Sequence, residues 1–94
     1  ESGKPITQSR GEVAGAADLW RFAAALARTL HGDSHNALGE DMLAVVLKEP
    51  IGVVSIITPW NFPFWILSQK LPFALAAGCT CIVKPSDLTP STTV

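Results

Sequence analysis

Apolar residues in the first third of the chain recur with a helical period. Leu19, Phe22, Ala23, Leu26, Ala27 and Leu30 fall at i, i+3, i+4, i+7, i+8 and i+11, with Asp18, Arg21 and Arg28 on the opposite side. The spacing predicts a helix over 7–30 with one face meant for a core. Gly11 and Gly15 weaken its first turns and mark a bend, Gly32 is placed for a left-handed stop, and His31 reads as a C-terminal cap favoured by the helix dipole. Residues 33–41 are polar and predict a loop. Two apolar, β-branched runs follow, Met42 to Lys48 and Ile51 to Ile57, separated by Glu49-Pro50, and they read as strands flanking a corner. Phe64 to Ala77 is apolar on almost every side, a buried helix with Lys70 as its one charge, a kink at Pro72 and Gly78 as its stop. Thr80 to Val83 then forms a short buried strand. Thr89-Pro90 supplies an N-cap and a first helical residue for a helix starting over 91–94.

A strand, a helix and a second strand in that order cross over right-handedly into parallel pairing. A parallel sheet needs helices on both faces and more than two strands, so the pattern predicts an α/β architecture: part of a doubly wound, Rossmann-like sheet with an N-terminal helix. Composition sharpens this. The 94 residues are 48% hydrophobic and only 16% charged, whereas a domain this small exposes most of itself to water. The apolar excess, and a start at Glu1 without methionine, point to a segment whose neighbours lie elsewhere in a longer chain. A net charge of −1 leaves no electrostatic footprint for nucleic acid or an anionic membrane. Pro72, Gly78 and Thr80 interrupt the apolar stretches well before the roughly 18 residues a membrane-spanning helix requires. Cys79 and Cys81 are poorly placed to bridge each other and lack companion metal ligands, so they read as reduced, small hydrophobes of a cytoplasmic protein with no metal site.

The candidate chemistry lies between the two prolines of Thr58-Pro59-Trp60-Asn61-Phe62-Pro63. Fixed φ angles and two missing backbone donors make this a rigid turn that is neither central strand nor helix interior. A lone amide, Asn61, stands there among aromatic rings. It serves either as a packing residue bonded to nearby backbone or as a donor aimed at a developing oxyanion.

The Pro59–Pro63 string, the later Val83-Lys84-Pro85-Ser86-Asp87, and the strings Glu1-Ser2-Gly3-Lys4-Pro5, Gly11-Glu12-Val13, Lys48 to Val54 and Pro72 to Gly78 stand in one register. Over nearly its whole length the chain resembles the aldehyde dehydrogenase superfamily. The resemblance implies a larger enzyme that oxidises an aldehyde to a carboxylic acid with NAD, or NADP, through a cysteine thiohemiacetal. Residues 1–94 would be an incomplete segment of its NAD(P)-binding domain, with about 40–50 contributing to a ribbon that joins subunits into a homodimer or homotetramer. Asn61 would be the oxyanion amide, and Thr58, Pro59 and Trp60 would line the nicotinamide-ribose side of the cofactor. Lys84, Ser86 and Asp87 would hold the adenosine ribose, Asp87 standing where many members carry glutamate.

Ligands of open α/β sheets bind beyond the carboxyl ends of the strands, and both of these segments lie on that edge. A carboxylate at Asp87 accepts from ribose hydroxyls and repels a 2′-phosphate, which leans toward NAD; as a turn former beside a solvated Lys84 it has a purely local role. No Gly-x-Gly-x-x-Gly follows either strand. Lys70 falls where some members place a lysine of a proton relay, and a snorkelling structural lysine is the alternative. The nucleophilic cysteine and the glutamate that activates water are not in this segment, and Cys79 and Cys81 match neither. A non-catalytic, truncated relative acting in binding or assembly is the rival reading. A relative that reduces an activated acyl group to the aldehyde is a further one.

Overall fold

The computed structural model describes residues 1–94. Helix α1 (Ile6–Ala27) leads into a short strand β1 (Asp33–His35) and its partner β2 (Ala44–Val46). Then come β3 (Val53–Ile57), two short helices α2 (Pro63–Ser68) and α3 (Leu71–Ala76), and β4 (Thr80–Lys84). β1 and β2 form an antiparallel ribbon; β3 and β4 form a separate parallel pair, in register from Val53↔Thr80 to Ile57↔Lys84. Glu49-Pro50 therefore lies where the chain leaves one sheet for the other.

Val54 and Ile56 of β3, with Cys81 and Val83 of β4, are the more buried positions of their strands, while Val53, Ile57 and Ile82 on the alternate side are exposed. α3 packs on β4, and α1 lies across α2 and α3. Trp20 Nε1 on α1 donates to the buried Ser68 Oγ on α2 at 3.1 Å, and Phe22 meets Phe73 edge-on with ring centroids 6.1 Å apart. Only 10 of the 94 residues are buried, too few to hold a core unaided, and one face of the sheet is bare. This is the partial parallel sheet of α/β character that the pattern of strands and helix predicts.

Local expectations fare unevenly. Gly78 does stop the helix: its φ of +83° suits glycine, and the Gly78 and Cys79 amides donate to the Leu75 and Ala74 carbonyls, closing a Schellman motif. The predicted single helix over 64–77 is two, broken at Gln69-Lys70. Pro72 lacks an amide hydrogen, and its ring would strike the carbonyl four residues back in a continuous helix; instead it opens α3 within the first turn. α1 ends at Ala27, short of Leu30, and His31 Nδ1 lies 2.7 Å from the Thr29 carbonyl, beyond the helix. Gly32 has no positive φ, so it is not a left-handed stop; a Cβ there would lie 1.8 Å from the Val46 carbonyl oxygen. The expected loop over 33–41 contains β1, and the expected strand over 42–48 shrinks to Ala44–Val46. Residues 91–93 form a single turn, not a helix. Thr89 does not cap it with its side chain; the Glu1 carboxylate accepts from the Ser91 and Thr92 amides at 2.8 and 3.1 Å.

α1 runs unbroken through both of its glycines. Gly15 is there for contact: a Cβ would sit 2.3 Å from Trp65 Cζ3. Alanine would gain about 1 kcal/mol of helix propensity but force the ring out of its seat, an overpacking cost of about 1–3 kcal/mol, so the clash outweighs the gain. Gly15→Ala is expected to lower the thermal midpoint of the full-length protein, read by calorimetry.

Candidate functional site

The ladder between β3 and β4 continues past their last pair, since Thr58 N donates to the Lys84 carbonyl at 3.2 Å. Two connections leave the sheet side by side from there, Thr58 to Phe62 and Pro85 to Pro90. The buried Thr89 hydroxyl donates to the Trp60 carbonyl at 3.2 Å and ties one to the other. The structure thus brings together two of the predicted groups, Thr58–Asn61 and Lys84–Asp87, at the carboxyl edge of a parallel sheet.

Within the first group, Thr58 is buried and its Oγ1 has no partner, whereas Pro59, Trp60 and Asn61 are exposed. The Asn61 carbonyl accepts from Lys4 Nζ at 2.7 Å, while its side-chain amide forms no hydrogen bond within the chain. In the second group Lys84 Nζ lies 3.0 Å from Asp87 Oδ1 and 3.0 Å from the Pro85 carbonyl, and both side chains are largely in solvent. Ser86 Oγ accepts from Leu88 N at 3.3 Å, which shapes the turn and leaves its hydrogen free to donate. A donor and an acceptor therefore stand together beyond the sheet, an arrangement that suits a ribose diol. Thr58 Oγ1 adds a buried oxygen lacking a partner at the neighbouring strand end.

Lys70 stands apart. It occupies the bend between α2 and α3, is exposed, forms no ion pair, and lines a hollow along β3 with Val54, Ile56 and Ala74.

The braces of the Asn61 turn escaped the sequence reading. Lys4 pairs with Glu12 at 2.6 Å and sits 3.9 Å from the centre of the Phe62 ring, and Glu12 Oε1 accepts from Trp65 N at 3.2 Å. Both residues stand in strings that mark the resemblance, but no local pattern pairs residues more than fifty positions from the groups they hold.

The model of the aldehyde dehydrogenase family matches residues 1–94. The chain belongs to the aldehyde dehydrogenase family. Among relatives, it is 46% identical over 90 residues to human mitochondrial succinate-semialdehyde dehydrogenase, which covers 96% of this chain and 17% of that protein. A crystal structure of an NAD-dependent aldehyde dehydrogenase from Sinorhizobium meliloti superposes with a TM-score of 0.96 at 56% identity, covering 99% of this chain and 18% of the other. A variant of betaine aldehyde dehydrogenase from Staphylococcus aureus in complex with NAD+ matches with a TM-score of 0.93 at 37% identity, over 97% of this chain and 18% of that one. The chain thus spans less than a fifth of the length of these family members.

Proposed function

We propose that these residues are part of an NAD-dependent aldehyde dehydrogenase, to which they contribute the oxyanion amide and one side of the cofactor cleft. The observation that carries this reading is the free Asn61 amide, held by its backbone on a rigid turn that Thr58 and Trp60 tie to the connection after Lys84. An amide with no partner of its own is available to a charge that develops only during reaction, the kind of preorganised donor that accelerates acyl chemistry. Lys84 would donate to, and Asp87 accept from, the hydroxyls of the adenosine ribose. Thr58, Pro59 and Trp60 would form the wall on the nicotinamide side, with Thr58 Oγ1 as a further polar contact. NAD, when bound, supplies the acceptor for the hydride that leaves the former aldehyde carbon. The cysteine nucleophile and the water-activating glutamate would come from elsewhere in the protein. Cys79 is buried just before β4 and Cys81 half-buried within it, and neither serves. Lys70 would act only through a relay completed by other parts of the protein.

The family member from Staphylococcus aureus in complex with NAD+ and the succinate-semialdehyde dehydrogenase relatives support an assay of the full-length protein with NAD and aldehydes beginning with succinate semialdehyde. NADH formation is expected; binding of NAD without turnover would favour the non-catalytic relative. The ribbon supports an assembly role as well. Met42, Leu43, Val45 and Leu47 expose apolar side chains on a two-stranded unit that is marginal alone, so we read β1–β2 as the element that joins subunits into a dimer or tetramer. The reduced state of Cys79 and Cys81 suits a cytoplasmic location, and it suits the mitochondrial one named for the human relative equally.

Coenzyme choice gives a direct prediction. Repulsion between the Asp87 carboxylate and a 2′-phosphate across water amounts to about 1 kcal/mol per charge. Asp87→Asn is expected to raise the NADP to NAD ratio of kcat/KM by roughly tenfold, measured by steady-state kinetics with each coenzyme.

A further inference from the structure

We propose that Lys4 and Glu12 are positioning residues for the Asn61 amide; this rests on the oxyanion reading of Asn61 given above. The Lys4 ammonium and Glu12 carboxylate meet at 2.6 Å with side chains only 14% and 8% exposed. Each has a second partner on the Asn61 segment. Lys4 Nζ donates to the carbonyl of Asn61 itself at 2.7 Å and lies over the Phe62 ring; the other oxygen of Glu12 accepts from the Trp65 amide, an otherwise unpaired donor in the first turn of α2.

One ion pair therefore grips the segment at Asn61 itself and again at Trp65, on its C-terminal side. Pro59 and Pro63 stiffen the turn from within, so fixing it at two points sets the direction in which the amide projects. The Thr89 bond to the Trp60 carbonyl is a third anchor, from the cofactor side. A largely buried ion pair is a poor device for stability, because apolar residues of similar size often do as well. It is a good device for direction, since charge-assisted bonds are short and geometrically demanding. Donors that stabilise an oxyanion must reach the reacting oxygen within a few tenths of an ångström, so a turn released from this clamp loses rate without losing the amide.

The test is a mutant cycle in the full-length enzyme. Glu12→Gln and Lys4→Met are made alone and combined with Asn61→Ala, and the single-turnover rate of NADH formation, the NAD dissociation constant and the melting temperature are measured. Each clamp variant is expected to slow the single turnover about tenfold or more with Asn61 present, to leave NAD affinity within about twofold, and to add almost nothing once Asn61 is alanine. Losses that multiply in the Asn61→Ala background, or parental rates in the clamp variants, would overturn the inference while leaving the role of Asn61 intact. If Asn61→Ala itself turned over at the parental rate, the oxyanion reading would fail, and the inference with it. Should either single clamp variant fail to fold, the Lys4→Met/Glu12→Gln pair leaves no unpaired buried charge and carries the same comparison.

Discussion

Asn61→Ala in the full-length enzyme is expected to lower kcat by about 10²- to 10³-fold, the loss usually seen when one oxyanion donor is removed. The direction follows from what the side chain does not do. Its amide forms no hydrogen bond within this segment, so truncating it leaves no partner here unpaired. Stability and NAD affinity should therefore stay near parental values while the chemical step slows. Asn61→Asp sharpens the test, because it keeps the shape but replaces two donors with a negative charge where a negative charge must develop; it is expected to be at least as slow as the alanine form. Steady-state kinetics with NAD and an aldehyde, alongside a thermal melt, measures both effects. A parental kcat in the alanine form would remove Asn61 from the mechanism.

Gly32→Ala has the second large expected effect, on assembly. A Cβ at position 32 would lie 1.8 Å from the Val46 carbonyl oxygen and 3.0 Å from its carbon. The contrast with Gly15 decides the magnitude: there the obstacle is an aromatic ring that can turn, here it is backbone in a paired strand. Overpacking against backbone belongs at the upper end of its usual range, about 3 kcal/mol. The two-stranded ribbon, paired over Asp33↔Val46 to His35↔Ala44, is the part that yields. Faster amide hydrogen exchange over 33–46 and dissociation into smaller species by sedimentation velocity are the expected results, with NAD binding retained because the β3–β4 edge lies in the other sheet. An unchanged assembly with unchanged exchange would show that the ribbon neither moves nor joins subunits.

Much of this chain is locally encoded. α1, β3, β4, the rigid Thr58–Pro63 turn and the Gly78 stop were legible because periodicity, β-branching, proline and a left-handed glycine act within a few residues of themselves. The shared edge of Thr58–Asn61 and Lys84–Asp87 was legible too, since a strand, crossover and strand in that order has essentially one handed solution. β1 was not, because Asp33-Ser34-His35 is polar and extended only through its bonds to Val46–Ala44. The break at Gln69-Lys70 was read as a mere kink at Pro72, since sequence marks where a proline stands but not whether the chain bends or ends there.

What the sequence by itself determined was the kind of fold, the family resemblance and the identity of the polar groups at the sheet edge. What only the tertiary structure decided was how those groups are held. Asn61 is left free by its own turn and fixed by Lys4, while Glu12 grips the same segment through Trp65. Gly32 and Gly15 are required by the Val46 carbonyl and the Trp65 ring. The physical reason is the same in each case: these contacts join residues far apart in the chain, and their energies depend on an approach distance that only the folded chain sets.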